Sequence, residues 1–357
     1  MESRPSFGWP NVLYPDDEGM VIEDVWPSLH VGAEGAARMA ERVGRLDWAR
    51  QALELWRRQA EEVLAEAPCF ATDGPAGARL GLLPSDLGHH LLFDPRGCDR
   101  AYDPLRNCWV EADDVMRQAW RTLSHERTRR LMSSLAILYR LTGDERYSRW
   151  AWAGLAATAN ELYHPDRRPA GKGAFHVVYG GLYEAQSMLQ LAQCYELLAD
   201  APGAEPAARA GLFEHVFEPV GEMLSRWMDK MIVHNMSCWA MSALAALAPL
   251  CDRPEWLDKA LHSERCGLRK LLTVGVPRGP GGGPPDGLWN ETSSFYGFYA
   301  LIPLIPLYRA GEREGVVDDD LRERFAAAFA GPLHLADERL RLVCVGDRAV
   351  PDTLSLP

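Results

Sequence analysis

The sequence predicts an all-α protein built from antiparallel helical hairpins, and three observations lead there. Apolar residues recur at i, i+3, i+4 and i+7 through most of the chain. Strand-like alternation is nearly absent before Arg339-Leu340-Arg341-Leu342-Val343-Cys344-Val345. Glycine and proline breaks fall between the periodic runs.

Taken in order, the runs cover 35–66, 115–142, 145–163, 179–200, 207–232, 236–250, 255–272, 294–310 and 318–330. Asp73-Gly74-Pro75 follows the first. Thr142-Gly143-Asp144 parts the second from the third, with Gly143 suited to a C-cap and Asp144 to the N-cap of the next helix. His164-Pro165, Ala201-Pro202-Gly203 and Arg253-Pro254 mark later joins. Such breaks between long helices make antiparallel hairpins. Met236–Leu250 and Phe298–Leu307 are hydrophobic over more than one face. An inner ring of helices covered by an outer one has that pattern. Residues 1–337 are expected to form one helical domain with an extended N-terminal segment, and 338–357 to begin a β segment or linker.

The net charge of −12 in 357 residues argues against a general nucleic-acid binder, which needs excess Lys and Arg for phosphates. An acidic ligand would have to meet a local basic cleft. The eight cysteines (69, 98, 108, 194, 238, 251, 266, 344) form no close CxxC pair, which speaks against structural zinc, and no cofactor is expected. Cys98 and Cys108 flank Tyr102 in a segment that reads as an Asp/Arg-rich loop. No signal peptide is visible at the N-terminus and no run has the apolar length of a membrane span, so the default expectation is a cytoplasmic protein without a membrane partner.

The richest stretch for chemistry begins at Pro284-Pro285-Asp286-Gly287-Leu288-Trp289-Asn290-Glu291 and runs on to Tyr299. A Gly/Pro-rich loop ends in an acidic turn, and Glu291, Tyr296 and Tyr299 then lead into an apolar helix. Carboxylates and phenols where a loop meets a rigid element commonly carry function. Tyr296 also fits a half-buried packing residue. Glu291 with Asp286 could be offered as the two acids of a glycoside hydrolase, although paired acids usually come from opposite walls of a cleft. His234-Asn235-Met236-Ser237-Cys238-Trp239 opens a second apolar helix, where Asn235 suits an N-cap and Trp239 a core or cleft-wall position. Arg117, Gln118, Trp120, Arg121 and His125 lie on a helix whose polar residues would point inward, and Arg121 could grip a carboxylate with its guanidinium fork. His176 with Tyr179, and the pair His89-His90, are weaker signals.

Three of these segments resemble one family. Asp286 to Tyr299 is similar to the D-G-x-x-x-E-x-S-x-x-Y-H-x-Y segment of uronate-cleaving lyases of the heparinase II/III type and related alginate lyases. The Asp-Gly, the Glu, one Ser and both Tyr are in place, and Gly297 stands where the family often has His. Leu141-Thr142-Gly143-Asp144-Glu145-Arg146-Tyr147 resembles the family's Leu-Thr-Gly-Asp-x-x-Tyr turn, and His234 to Trp239 its Asn, His and Trp ahead of an Ala-rich inner helix.

The resemblance implies an incomplete (α/α) toroid and β-elimination on an acidic polysaccharide or oligosaccharide. It implies Tyr296 as base, Asn235 as the group that neutralises the uronate carboxylate, and His234 as a second donor or proton partner. Glu291, Arg121, Trp120, His125, Trp239 and Tyr299 would bind substrate or orient the others. Family members usually continue into a large antiparallel β-sheet domain. Since the sequence stops at Pro357, a fragment or a protein without that domain is expected. The alternatives are a non-catalytic carbohydrate-binding toroid, or a uronate epimerase or glycoside hydrolase on the same scaffold.

Overall fold

A computed structural model describes residues 33–65, 92–93, 99–103, 105–165, 180–291 and 294–336. They fall into two compact units whose boundary lies between Val220 and Gly221. Among the described residues no helix is long and apolar enough to cross a membrane, and no group of three or more His, Cys, Asp or Glu could hold a metal ion. The 339–345 alternation, His89-His90, His176 and Tyr179, and Cys69, Cys98 and Cys344 lie outside the described residues.

The first unit opens with α1 (Ala33–Arg45) and α2 (Asp47–Leu64), so the 35–66 run is two helices broken at Leu46. A small antiparallel sheet comes next, with β1 (Leu92–Phe93), β2 (Arg100–Asp103) and β3 (Cys108–Glu111) in that order. This sheet replaces the loop that the sequence suggests for the segment. The hairpin is closed by an Asx turn, in which Asp103 Oδ1 accepts from the backbone N–H of Leu105 and Arg106 and Asn107 takes a left-handed φ of 53°. Tyr102 pairs across to Trp109, with ring centroids 5.6 Å apart.

The longest helix, α3 (Asp114–Thr142), turns back through Gly143 into α4 (Glu145–Ala157). Gly143 has φ 73° and its N–H donates to Tyr139 O at 2.8 Å, while Asp144 Oδ1 accepts from Arg146 N at 3.0 Å. The hairpin packs closely at Gly154, where a side chain would overlap Met132 of α3. A π-helical turn, Thr158–Leu162, ends α4. Then α5 (Gly180–Leu198) runs in the same direction as α3, because Arg129 bonds Ser187 near one end and Arg140 pairs with Asp200 near the other. Trp152 of α4 donates its indole N–H to Leu198 O at 3.1 Å. Next come α6 (Pro206–Gly211), a second π turn (Leu212–Phe217) and α7 (Glu218–Met228), which crosses the unit boundary.

The second unit contains α8 (Asn235–Leu250), α9 (Pro254–His262), α10 (Leu268–Gly275), α11 (Ser294–Arg313) and α12 (Asp319–His334). The 255–272 run is thus split at Ser263–Gly267. Helix α8 is buried on nearly every side, as its all-round hydrophobicity requires. Trp256 of α9 is 1% exposed and lies so close to Gly221 that no side chain fits there.

Helices α8 and α11 run parallel. Trp239 meets Tyr299, and farther along both helices the Ser242 hydroxyl donates to Pro303 O. Each unit by itself therefore repeats one plan, a parallel pair (α3 with α5, α8 with α11) joined by return segments. Helix α12 is capped by Asp318, whose Oδ1 accepts from Leu321 N at 3.0 Å. Its Arg324, 8% exposed, bonds the Val276 and Thr273 carbonyls at the end of α10.

Candidate active site

The loop before α11 is fixed at three points. Gly287, with φ 80°, presses its backbone against Ala327 and Gly331 of α12, where a Cβ would overlap the Ala327 carbonyl. The Trp289 ring, 5% exposed, fills a slot over Gly275 that a Cβ on that glycine would also occupy. The Asn290 N–H donates to Gly275 O at 2.9 Å. Held this way, the loop delivers Glu291 to the N-terminus of α8.

There the carboxylate collects four donors. Oε2 accepts from the Asn235 backbone N–H at 2.8 Å and from the Trp289 indole N–H. Oε1 accepts from Asn235 Nδ2 at 2.9 Å and lies 3.0 Å from His234 Nε2. An ionised carboxylate offers about four lone-pair positions. All are used, so Glu291 acts as a clamp and has no lone pair left for a substrate proton. It also supplies negative charge where the α8 dipole favours it and satisfies an orphan N–H of the first turn.

The cap of α8 is His234 rather than Asn235. Its backbone is extended and its Nδ1 accepts from Met236 N at 3.3 Å. Asn235 is the first helical residue, 3% exposed. With Nδ1 accepting, the proton of His234 sits on Nε2 and points at Glu291, so both ring nitrogens are engaged.

On the first turns of α11, Tyr296 is half-buried and its ring meets Tyr299 edge-on, centroids 6.4 Å apart. Tyr299 in turn lies 5.4 Å from the Trp239 ring. Trp239 is fully buried, which leaves no face for a sugar to stack on. Its contact with Tyr299 makes it a prop for the aromatic row, the core rather than the cleft-wall member of the two positions expected of it. One turn into α8, the Cys238 thiol is pushed well up, by burial first and then by Glu291 and Cys266. It stays a protonated, inert thiol.

The structure thus gathers His234, Asn235 and Glu291 into one hydrogen-bonded cluster, and lines up Trp239, Tyr299 and Tyr296 along the same helix pair. Asp286 is engaged otherwise, since its Oδ1 accepts from Leu288 N at 2.9 Å in an Asx turn. Trp289 and Gly275 escape a reading of the sequence. The one local hint is an aromatic next to the acidic turn, and the slot over Gly275 exists only after folding.

His125, Trp120 and Arg121 belong to α3 of the first unit, and the side chains of the latter two lie outside the described residues. His125 is 1% exposed and so buried away from any direct ligand contact. It lies in a polar seam between α3 and α5, with Ser187 Oγ 3.4 Å from its Nε2 and Arg129 bonded to the same hydroxyl. Burial first, and the Arg129 charge second, push its pKa well down and hold the imidazole neutral. Beside it the Tyr163 hydroxyl donates to Glu184 Oε2 at 2.7 Å. The phenol is pushed well above its usual pKa by burial and then by that carboxylate.

No known family profile matches the chain. An exo-oligoalginate lyase of Saccharophagus degradans is 28% identical over 199 residues, which make up 53% of this chain and 25% of that protein. An alginate lyase of Stenotrophomonas maltophilia is 26% identical over 196 residues, again 53% of this chain and 25% of the relative. The chain spans about a quarter of the length of these curated relatives. The crystal structure of an alginate lyase from Bacteroides ovatus aligns with a TM-score of 0.55 at 15% identity, covering 86% of this chain and 83% of that one. That likeness shows a shared fold of the incomplete (α/α) toroid class. Over about half of its length the chain is thus similar in sequence to two alginate lyases, and it shares the fold of a third.

Proposed function

We propose that this chain carries the helical part of a lyase site that cleaves a uronate-containing polysaccharide or oligosaccharide by β-elimination. The observation that carries the proposal is the Asn235 amide, fixed by Glu291 at the N-terminus of α8, with two phenols on the first turns of the parallel helix α11. The C5 proton of a uronate becomes removable only when the adjacent carboxylate is neutralised. One Asn235 N–H is held by Glu291, and the other would donate to a carboxylate, or to the enolate-like charge that develops on it, where the substrate reaches this 3%-exposed side chain. The positive end of the α8 dipole favours the same charge.

Tyr296 would take the C5 proton. The C5–H electron pair then forms the C4=C5 double bond, the C4–O bond breaks, and the leaving oxygen takes up the proton that Tyr296, entering the step as a phenolate, removed from C5. His234 is a positioning residue in this scheme, because neither ring nitrogen is free to carry that proton. Glycoside hydrolysis is a poorer fit. It needs a carboxylic acid and a second carboxylate facing the bond, whereas Glu291 is filled by four donors and Asp286 closes a turn.

The test is incubation with alginate, heparan and chondroitin oligosaccharides while recording the ultraviolet absorbance of the unsaturated product. The expected result is new absorbance with one of them. Saturable binding without new absorbance from any of them would replace this reading with that of a carbohydrate-binding toroid.

A further inference from the structure

We propose that Trp289 is a positioning residue whose indole N–H sets the orientation of Glu291 and, through it, the aim of the Asn235 amide. The proposal rests on the role given to Asn235 above. Three of the four donors around the Glu291 carboxylate come from His234 and Asn235, at the very start of α8. A carboxylate meeting those three alone would be placed by the groups it is supposed to place. The fourth donor is independent of α8. It comes from Trp289, two residues before Glu291 on the same loop.

Trp289 is itself anchored elsewhere. Its ring sits in the slot over Gly275 at the end of α10, and the next residue bonds the Gly275 carbonyl at 2.9 Å. On the other side Gly287 locks the loop to α12. The indole thereby transmits the geometry of α10 and α12 to one carboxylate oxygen, Oε2, which also receives the Asn235 backbone N–H. With Oε2 held, Oε1 has one direction left, toward Asn235 Nδ2 and His234 Nε2. Packing alone would be served by any large aromatic in the slot, whereas positioning needs the N–H.

Trp289→Phe keeps an aromatic ring and removes the donor, but it also withdraws the benzo edge that lies over Gly275, so it is read together with the wild-type measurement below. Two readouts decide. In isotope-labelled protein, the Asn235 side-chain amide should lose its slow exchange and shift toward the signal of a free amide. On a cleaved uronate oligosaccharide, kcat should fall on the order of 10–100-fold with KM changed by less than about threefold, as for a misaimed group that acts in the transition state. An unchanged Asn235 signal together with unchanged kcat overturns the proposal.

A measurement on the wild-type protein guards against a variant that does not fold. The Trp289 indole N–H should be strongly shifted and protected from exchange, and a freely exchanging indole overturns the proposal equally. If the wild-type chain cleaves no uronate, the proposed function falls, while the two amide signals still decide whether Trp289 positions Glu291.

Discussion

Two polar clusters sit between parallel helices in this molecule, one in each unit, and they differ in where on the helices they lie. In the second unit the cluster is at the end of α8, where His234 and Glu291 keep side-chain exposures of 38% and 17% around an Asn235 that is buried at 3%. In the first unit the cluster is within the bodies of α3 and α5, where His125, Arg129, Glu184 and Ser187 are all 3% exposed or less. A helix end supplies unpaired N–H groups and a dipole to whatever reaches it. A helix interior supplies neither, and polar groups there satisfy one another. Buried networks of the second kind specify which helices pair and in what register, whereas the first kind is open to a ligand.

The largest effect that would break this contrast concerns activity. Tyr296→Phe should reduce turnover on a cleaved uronate by on the order of 10²–10⁴, the usual loss for a positioned general base. Asn235→Ala should cost on the order of 10²–10³, as for a donor aimed at developing charge. Steady-state kinetics check both, and full activity in Tyr296→Phe would remove the phenol from the mechanism.

The next effect separates the clusters by what each one controls. Tyr163→Phe takes the hydroxyl from the buried Glu184 carboxylate and should lower unfolding free energy by about 1–3 kcal/mol. Its kcat should stay as in the wild type below the unfolding transition. Glu291→Gln should do the reverse, because it presents an amide N–H₂ to donors and disturbs Asn235 with a smaller loss of stability. Denaturant titration beside kinetics measures both, and a Tyr163→Phe enzyme with normal stability but lost activity would erase the distinction.

The pH dependence of stability sharpens the same point. The folded-state pKa of His125 lies well below its unfolded value near 6.5. Below pH ~6.5 the unfolded chain binds a proton that the native state does not. Stability from this group should therefore be fully present above that pH and fall by about 1.4 kcal/mol per unit as the pH drops toward the folded pKa. Chemical denaturation from about pH 7.5 to 5 would show this slope, and His125→Gln should remove that part of it. A slope that survives the substitution would assign the effect to other groups.

The smallest effect is expected at Gly297. A Cβ there would meet only the Trp289 Cβ, at an ordinary 3.8 Å, in contrast to Gly275, where a side chain cannot fit. Gly297→Ala should stabilise by about 0.5–1 kcal/mol through reduced freedom of the unfolded chain. Gly275→Ala should destabilise by about 1–3 kcal/mol through overpacking against the indole. Thermal unfolding of the two variants should move in opposite directions.

By itself the sequence determined the helices and the polar segments that open two of them. Helical periodicity and capping are properties of neighbouring residues, so Thr142-Gly143-Asp144 and the all-round apolar run from Met236 could be read without any tertiary contact. Strands of two and four residues are too short for alternation to register, which is why β1–β3 pass for a loop. The tertiary structure alone decided the rest. It made His234 the cap of α8, and it buried Trp239 behind Tyr299. It brought Glu291 across 56 residues of chain to Asn235 and set Trp289 over Gly275. The physical reason is the reach of each signal. Periodicity acts over a few residues, while a carboxylate's partners are whichever donors the packing of α8, α10, α11 and α12 places within hydrogen-bond distance, and no local pattern records that.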